Sequence, residues 1–199
     1  DVVLSGGNAS NGPGGNIVLE SGSSSKGSSG NFELSTSEVE ATGVSGKISL
    51  ATGTVNSGRS GDVTLSTGDS RTDNAGSIYV SVGKGESITN DSNGGNIELS
   101  AGLMDTGKGG NVIIASGGSA SGNSGSIAIL TQDVSGDGSS GGLEISTGTS
   151  NKDVTGDVLI KSGDGNDFAT SGDVIMAAGS AKTGTGGATK LSGGDSDDL

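Results

Sequence analysis

Gly61-Asp62-Val63-Thr64-Leu65-Ser66-Thr67-Gly68 is the stretch on which the reading of this chain turns. Its pattern, Gly-x-apolar-x-apolar-x-small-Gly, is followed by about seven polar residues and then begins again. The opening glycines are Gly15, Gly30, Gly46, Gly61, Gly76, Gly95, Gly110, Gly125, Gly141, Gly156, Gly172 and Gly187, and a first copy lacking its glycine starts at Asp1. Successive copies lie 15, 15, 16, 15, 15, 19, 15, 15, 16, 15, 16 and 15 residues apart. A period held this closely marks a repeat protein of thirteen short units.

Two columns carry the apolar content. The third position holds Val2, Ile17, Phe32, Ile48, Val63, Ile78, Ile97, Val112, Ile127, Leu143, Val158 and Val174, with Thr189 last. The fifth holds Leu4, Leu19, Leu34, Leu50, Leu65, Val80, Leu99, Ile114, Ile129, Ile145, Ile160, Met176 and Leu191. Alternation with period two and β-branched enrichment is the signature of a strand with one buried face. The core this predicts includes Ile17, Leu19, Ile48, Leu50, Val63, Leu65, Ile97, Leu99, Ile127, Ile129, Val158 and Ile160. The seventh position is usually small (Ser21, Thr36, Thr52, Thr67, Ala101, Ser116, Thr147, Ala178) and should continue that inward face.

The eighth position is Gly in eleven of thirteen copies, the exceptions being Ser37 and Gln132. A corner requiring positive φ explains such a column. A further glycine near the end of many spacers (Gly12, Gly27, Gly58, Gly107, Gly122, Gly184) suggests a second turn. Between the turns sits a lesser inward position, occupied by Ala9, Val39, Val55, Met104, Val134 and Ala181. Units that cannot bury their own apolar pair must stack on their neighbours. The expected fold is therefore all-β: a parallel β-solenoid (β-helix) of about 13 coils with a period of about 15 residues, a single repeat domain over residues 1–199. At ~4.8 Å per coil such a rod is roughly 60 Å long. The widened spacer at residues 84–94 is expected to be an outward loop insertion.

Composition narrows the function classes. Gly (42) and Ser (36) supply 78 of 199 residues, and hydrophobic residues reach 28%, against ~45–50% in a typical domain. A net charge of −13 makes nucleic acid and anionic membrane poor partners. No apolar run approaches the ~18 residues of a membrane span. His and Cys are absent, which removes the usual metal and nucleophile chemistry. No signal peptide is visible, and the chain opens in mid-pattern at Asp1, so a leader or flanking domain is expected outside this segment.

Candidate sites follow from the acidic and polar columns. Asp or Asn recurs at the second position (Asp1, Asn16, Asn31, Asp62, Asn96, Asn111, Asp157, Asp173). The plainer reading is a polar side chain bonding a neighbouring backbone group. The functional reading is calcium, the one candidate cofactor, held by Asp157 and Asp173 on adjacent coils and by the turn Asp164-Gly165-Asn166-Asp167. The nine-residue repeat of calcium-binding RTX solenoids is absent. A carboxylate-pair hydrolase fails, because Glu33, Glu98 and Glu144 fall in separated copies and a short coil has no groove; no catalytic residue and no enzyme is expected. An ice-binding solenoid is a better rival, but the flat regular ladder it wants is not formed, the outward positions being irregular and partly charged (Glu33/Ser35, Tyr79/Ser81, Ile113/Ala115). Outward aliphatics (Val3, Val18, Ile113, Leu130, Leu159, Ile175) suit lateral contacts, and uncapped ends suit stacking, so self-association into filaments, end to end or laterally, is expected. Asn8-Ala9-Ser10 and Asn90-Asp91-Ser92 are glycosylation sequons.

The unit Gly61–Gly68 with its Gly/Ser spacer resembles repeats in large surface or extracellular proteins of heterokont algae and oomycetes. That resemblance implies a structural or adhesive role. Taken together, these features suggest an extracellular or cell-surface structural protein, a building block of a filament, appendage, wall or coat layer. The alternative is a surface-binding solenoid for ice, mineral or carbohydrate.

Overall fold

In the computed structural model, which describes residues 1–86 and 93–195, none of the described residues lies in a helix or a strand. The β-solenoid expected from the period is overturned. Parallel pairing between successive copies defines that fold, and here the described chain is coil punctuated by bends. The buried column goes with it. Ile17, Leu19, Ile48, Leu50, Val63, Leu65, Ile97, Leu99, Ile127, Ile129, Val158 and Ile160 are all exposed, from 48% at Ile48 to 77% at Leu50. Among the described residues only Gly6 and Ser162 are partly covered, and none is buried.

Areas and entropies give the reason. The chain exposes 20376 Å², whereas a folded globule of its mass exposes about 8,300 Å² and a fully unfolded chain about 27,000 Å². With two aliphatic side chains among about fifteen residues, the apolar burial available within one chain is small against the conformational entropy of ordering the repeat.

The alternation survives locally without a partner. Ile17 (52%) and Leu19 (61%) are turned further from solvent than Val18 between them (72%). Val112 and Ile114 flank Ile113 in the same way, as Val174 and Met176 flank Ile175. The motifs therefore carry a recurrent aliphatic stripe that stays exposed among the described residues.

What the chain does form is a closed loop in its spacers. The opening glycine's N–H donates to the carbonyl of the preceding eighth-position glycine at Gly15→Gly7 (2.8 Å), Gly30→Gly22 (2.8 Å), Gly110→Gly102 (2.9 Å), Gly125→Gly117 (2.9 Å) and Gly187→Gly179 (2.9 Å). The seventh residue, expected to extend the inward face, instead packs beside the next opening glycine. A Cβ placed on Gly30 would meet Ser21 Cβ at 3.4 Å, one on Gly76 would meet Thr67 Cγ2 at 3.5 Å, and one on Gly187 would meet Ala178 Cβ at 3.4 Å. Small seventh residues and bare opening glycines are two sides of one close approach.

The bend inside the loop follows a rule set by the residue two places after the eighth position. Where it is Ser, its Oγ accepts the N–H three residues on: Gly27 to Ser24 (2.9 Å), Asp73 to Ser70 (3.2 Å), Gly122 to Ser119 (2.8 Å) and Asp153 to Ser150 (3.1 Å). Where it is Ala, Val or Met in a spacer of ordinary length, the residue three places on is a glycine at positive φ. These are Gly12 (127°), Gly58 (110°), Gly107 (104°) and Gly184 (106°), following Ala9, Val55, Met104 and Ala181. In two of the 16-residue repeats the position is Val39 or Val134, and the glycine moves one place further, to Gly43 and Gly138. A Cβ on either glycine would lie 3.3 Å from the valine's Cγ1. The bend is thus fixed either by a side-chain acceptor or by a glycine backbone. Positive φ belongs to Gly12, Gly58, Gly107 and Gly184 in the spacers, not to the eighth-position column where the pattern placed it.

The chain divides into two units, Asp1–Glu98 and Leu99–Leu199. Their sequences match at a shift of 95, residues 1–69 aligning without a gap to 96–164 with 27 of 69 positions identical. Conformation repeats with sequence: Gly12 and Gly107 share positive φ, and Ser24 and Ser119 cap matching bends. Where the halves diverge, they diverge as a pair. Val55 and Gly58 in the first become Ser150 and Asp153 in the second, exchanging one bend device for the other.

Candidate functional site

The four calcium candidates, Asp157, Asp164, Asp167 and Asp173, fall in the second unit. Asp157 and Asp173 open their motifs and are exposed. Asp164 and Asp167 lie in a fully described spacer that follows neither bend rule. There Gly165 N–H donates to Ser171 Oγ (2.9 Å), Ala169 N–H donates to the Asn166 carbonyl (3.1 Å), and Asp167 itself takes φ 51°. Phe168, next to it, is fully exposed. The turn is held by backbone and serine, not by its carboxylates. Calcium asks for six to eight oxygens converging at one point, and among the described residues no three acidic side chains group so as to hold a metal.

The remaining polar contacts are exposed and local. Arg59 pairs with Asp62 (2.7 Å) and Lys84 with Glu86 (2.8 Å). Pairs of this exposure contribute ~0–1 kcal/mol. Asn8, in the first spacer, is exposed as an acceptor asparagine requires, while Asn90 lies outside the described residues. Most of the widened spacer lies outside them as well. Glu33, Glu98 and Glu144 stand in separate motifs, and Ser146 Oγ donates to Glu144 (3.3 Å) within its own motif. Among the described residues no helix is long and apolar enough to cross a membrane.

Ile145, Val158 and Leu191, from three different motifs, line one open depression of mixed character together with Lys190, Ser192 and Gly193. A second depression is walled by Thr52, Gly53, Thr54, Val55, Gly58 and Ser60, the inner side of one spacer loop. The recurrent surface of the molecule is thus a set of closed polar loops alternating with an aliphatic stripe. The four serines that anchor bends were not marked out by the apolar spacer positions, although their place two residues after the eighth position was readable. Comparison with protein-family models, with curated proteins and with solved structures gives no match to this chain.

Proposed function

We propose that this chain is a non-catalytic structural segment of an extracellular filament, appendage or wall layer. The observation that carries the reading is repetition: one small unit, with neither His nor Cys, occupies the whole sequence thirteen times. Recurrent spacer loops, five of them closed by a glycine-to-glycine backbone bond, give many units a similar local form, and the charge of −13 keeps so much exposed backbone solvated. The rod-like solenoid plays no part in this reading. The material is instead a hydrated chain of looped units, each offering the same two aliphatic side chains. Antibodies raised against Gly61–Gly68 and applied to intact cells or shed matrix test it. Labelling of an extracellular layer is the expected result; labelling confined to the cell interior refutes it.

A further inference from the structure

We propose that the aliphatic stripe is covered by a second copy of this chain, laid alongside in parallel and matched motif to motif. The proposal rests on the structural reading above and names the partner of that structure. Twenty-five third- and fifth-position side chains are apolar, and their exposure runs from 48% at Ile48 and Val174 to 91% at Val2. At ~50 Å² still open on each, from the ~60–120 Å² of a whole aliphatic side chain, they offer roughly 1,200 Å² per chain. A stable interface needs about 800 Å² from each partner. Isolated exposed aliphatics are ordinary; what distinguishes these is their recurrence in pairs at one spacing along the sequence.

Period decides the occupant. A partner must present apolar groups at intervals of 15, broken by 16 and 19 in the order found here, and an identical chain does so along its whole length. Parallel alignment at zero offset matches all thirteen motifs. A slip of one motif sets a 15-residue interval opposite a 16- or 19-residue one after no more than two consecutive matches. A shift of 95 matches five motifs and then loses register. Zero offset is the arrangement with least mismatch. It also sets like charges opposite, Asp62 against Asp62 and Glu33 against Glu33. Pairing is therefore opposed by charge and strengthened by salt, whose screening length is ~10 Å at 0.1 M.

The chain has no cysteine, so a single introduced thiol reports register. Ser49→Cys, Thr64→Cys and Glu144→Cys each sit at the outward fourth position of a motif. On mild oxidation of the full chain, S49C is expected to cross-link to itself at least tenfold faster than to T64C, which reports a one-motif slip. It should also outpace cross-linking to E144C, which reports an antiparallel pair or a six-motif shift. Sedimentation equilibrium should give at least twice the monomer mass at high salt and less association at low salt. The double variant Leu50→Asp, Leu65→Asp should remain monomeric, and with no buried core to lose, its failure to associate is not a folding defect. A chain that stays monomeric at every salt concentration overturns the proposal, as does equal cross-linking in all pairings or preference for E144C. Extracellular antibody labelling is independent of these outcomes, so either idea can fall alone.

Discussion

Replacing Gly107 by Ala puts a Cβ on a residue held at φ 104°. Nothing lies within 4 Å of that Cβ, so no neighbour is struck and the whole penalty is backbone strain. Strain of this kind costs about 1–3 kcal/mol. The bond closing the same loop, Gly110 N–H to the Gly102 carbonyl at 2.9 Å, is worth only about 0.5–1.5 kcal/mol. Strain wins, and the closed fraction falls about five- to a hundredfold, at about 1.4 kcal/mol per factor of ten. Gly27→Ala is the matched control, because Gly27 is not at positive φ and its Cβ meets Ser24 Oγ at an ordinary 3.6 Å. There the stiffer unfolded chain should stabilise the loop by about 0.4–1 kcal/mol. The two substitutions therefore move in opposite directions. Amide hydrogen exchange followed by NMR reads them at Gly110 and Gly30. Adding Met104→Ser to Gly107→Ala should restore much of the lost protection by installing the serine device used at Ser150. Unchanged protection of Gly110 in Gly107→Ala, or equal losses in both variants, refutes the assignment of the bend to backbone conformation.

Gly6→Ala should open the first loop, since its Cβ would collide with the Gly15 carbonyl oxygen, while Gly7→Ala meets open space; exchange at the Gly15 amide separates the two. Ser150→Ala removes the acceptor of the Asp153 N–H and should weaken that bend by about 0.5–1 kcal/mol, seen as a severalfold rise in Asp153 exchange with no effect at Asp73. Dilute chain at low salt should show no cooperative heat-absorption peak in calorimetry and no β-sheet band in far-UV circular dichroism, because no apolar core is buried. A sharp melting transition of the monomer would contradict the open architecture. Arg59→Ala should change local stability by less than about 0.5 kcal/mol, measured by exchange at Asp62, because the pair is exposed on both sides.

The period, the two aliphatic columns and the spacer glycines were legible because each is a matter of residue type at fixed spacing. Facing was not: Ile17 (52%) and Leu19 (61%) are less exposed than Val18 (72%), but Val2 (91%) is more exposed than Val3 (82%), and none of them is buried. What alternation does not encode is whether two faces meet. That depends on area against entropy, and at Ile48 or Val63 one pair per repeat is outweighed by the glycine-rich backbone around it. Local turn chemistry misleads for a related reason. The eighth-position glycines look like corners because glycine tolerates positive φ, yet Gly7, Gly22 and Gly102 serve as carbonyl acceptors while Gly12 and Gly107 bend the chain. Val55 with Gly58 against Ser150 with Asp153 shows that the bend is specified by two residues together, a coupling that a column-by-column reading passes over. Asp157, Asp164, Asp167 and Asp173 attract a cation hypothesis by type and proximity in sequence, but convergence in space is a property of the folded backbone.

The loop closures have a mechanical consequence. Between Gly7 and Gly15 seven residues are gathered behind one hydrogen bond, so about 20 Å of contour is stored there, the difference between an extended segment and a bonded gap. Under tension each closure acts as a sacrificial link that yields before any covalent bond is loaded, lengthens the strand by a fixed increment and re-forms on release. A tether built this way dissipates sudden loads in small reversible steps, and its extensibility is set by how many loops the chain carries.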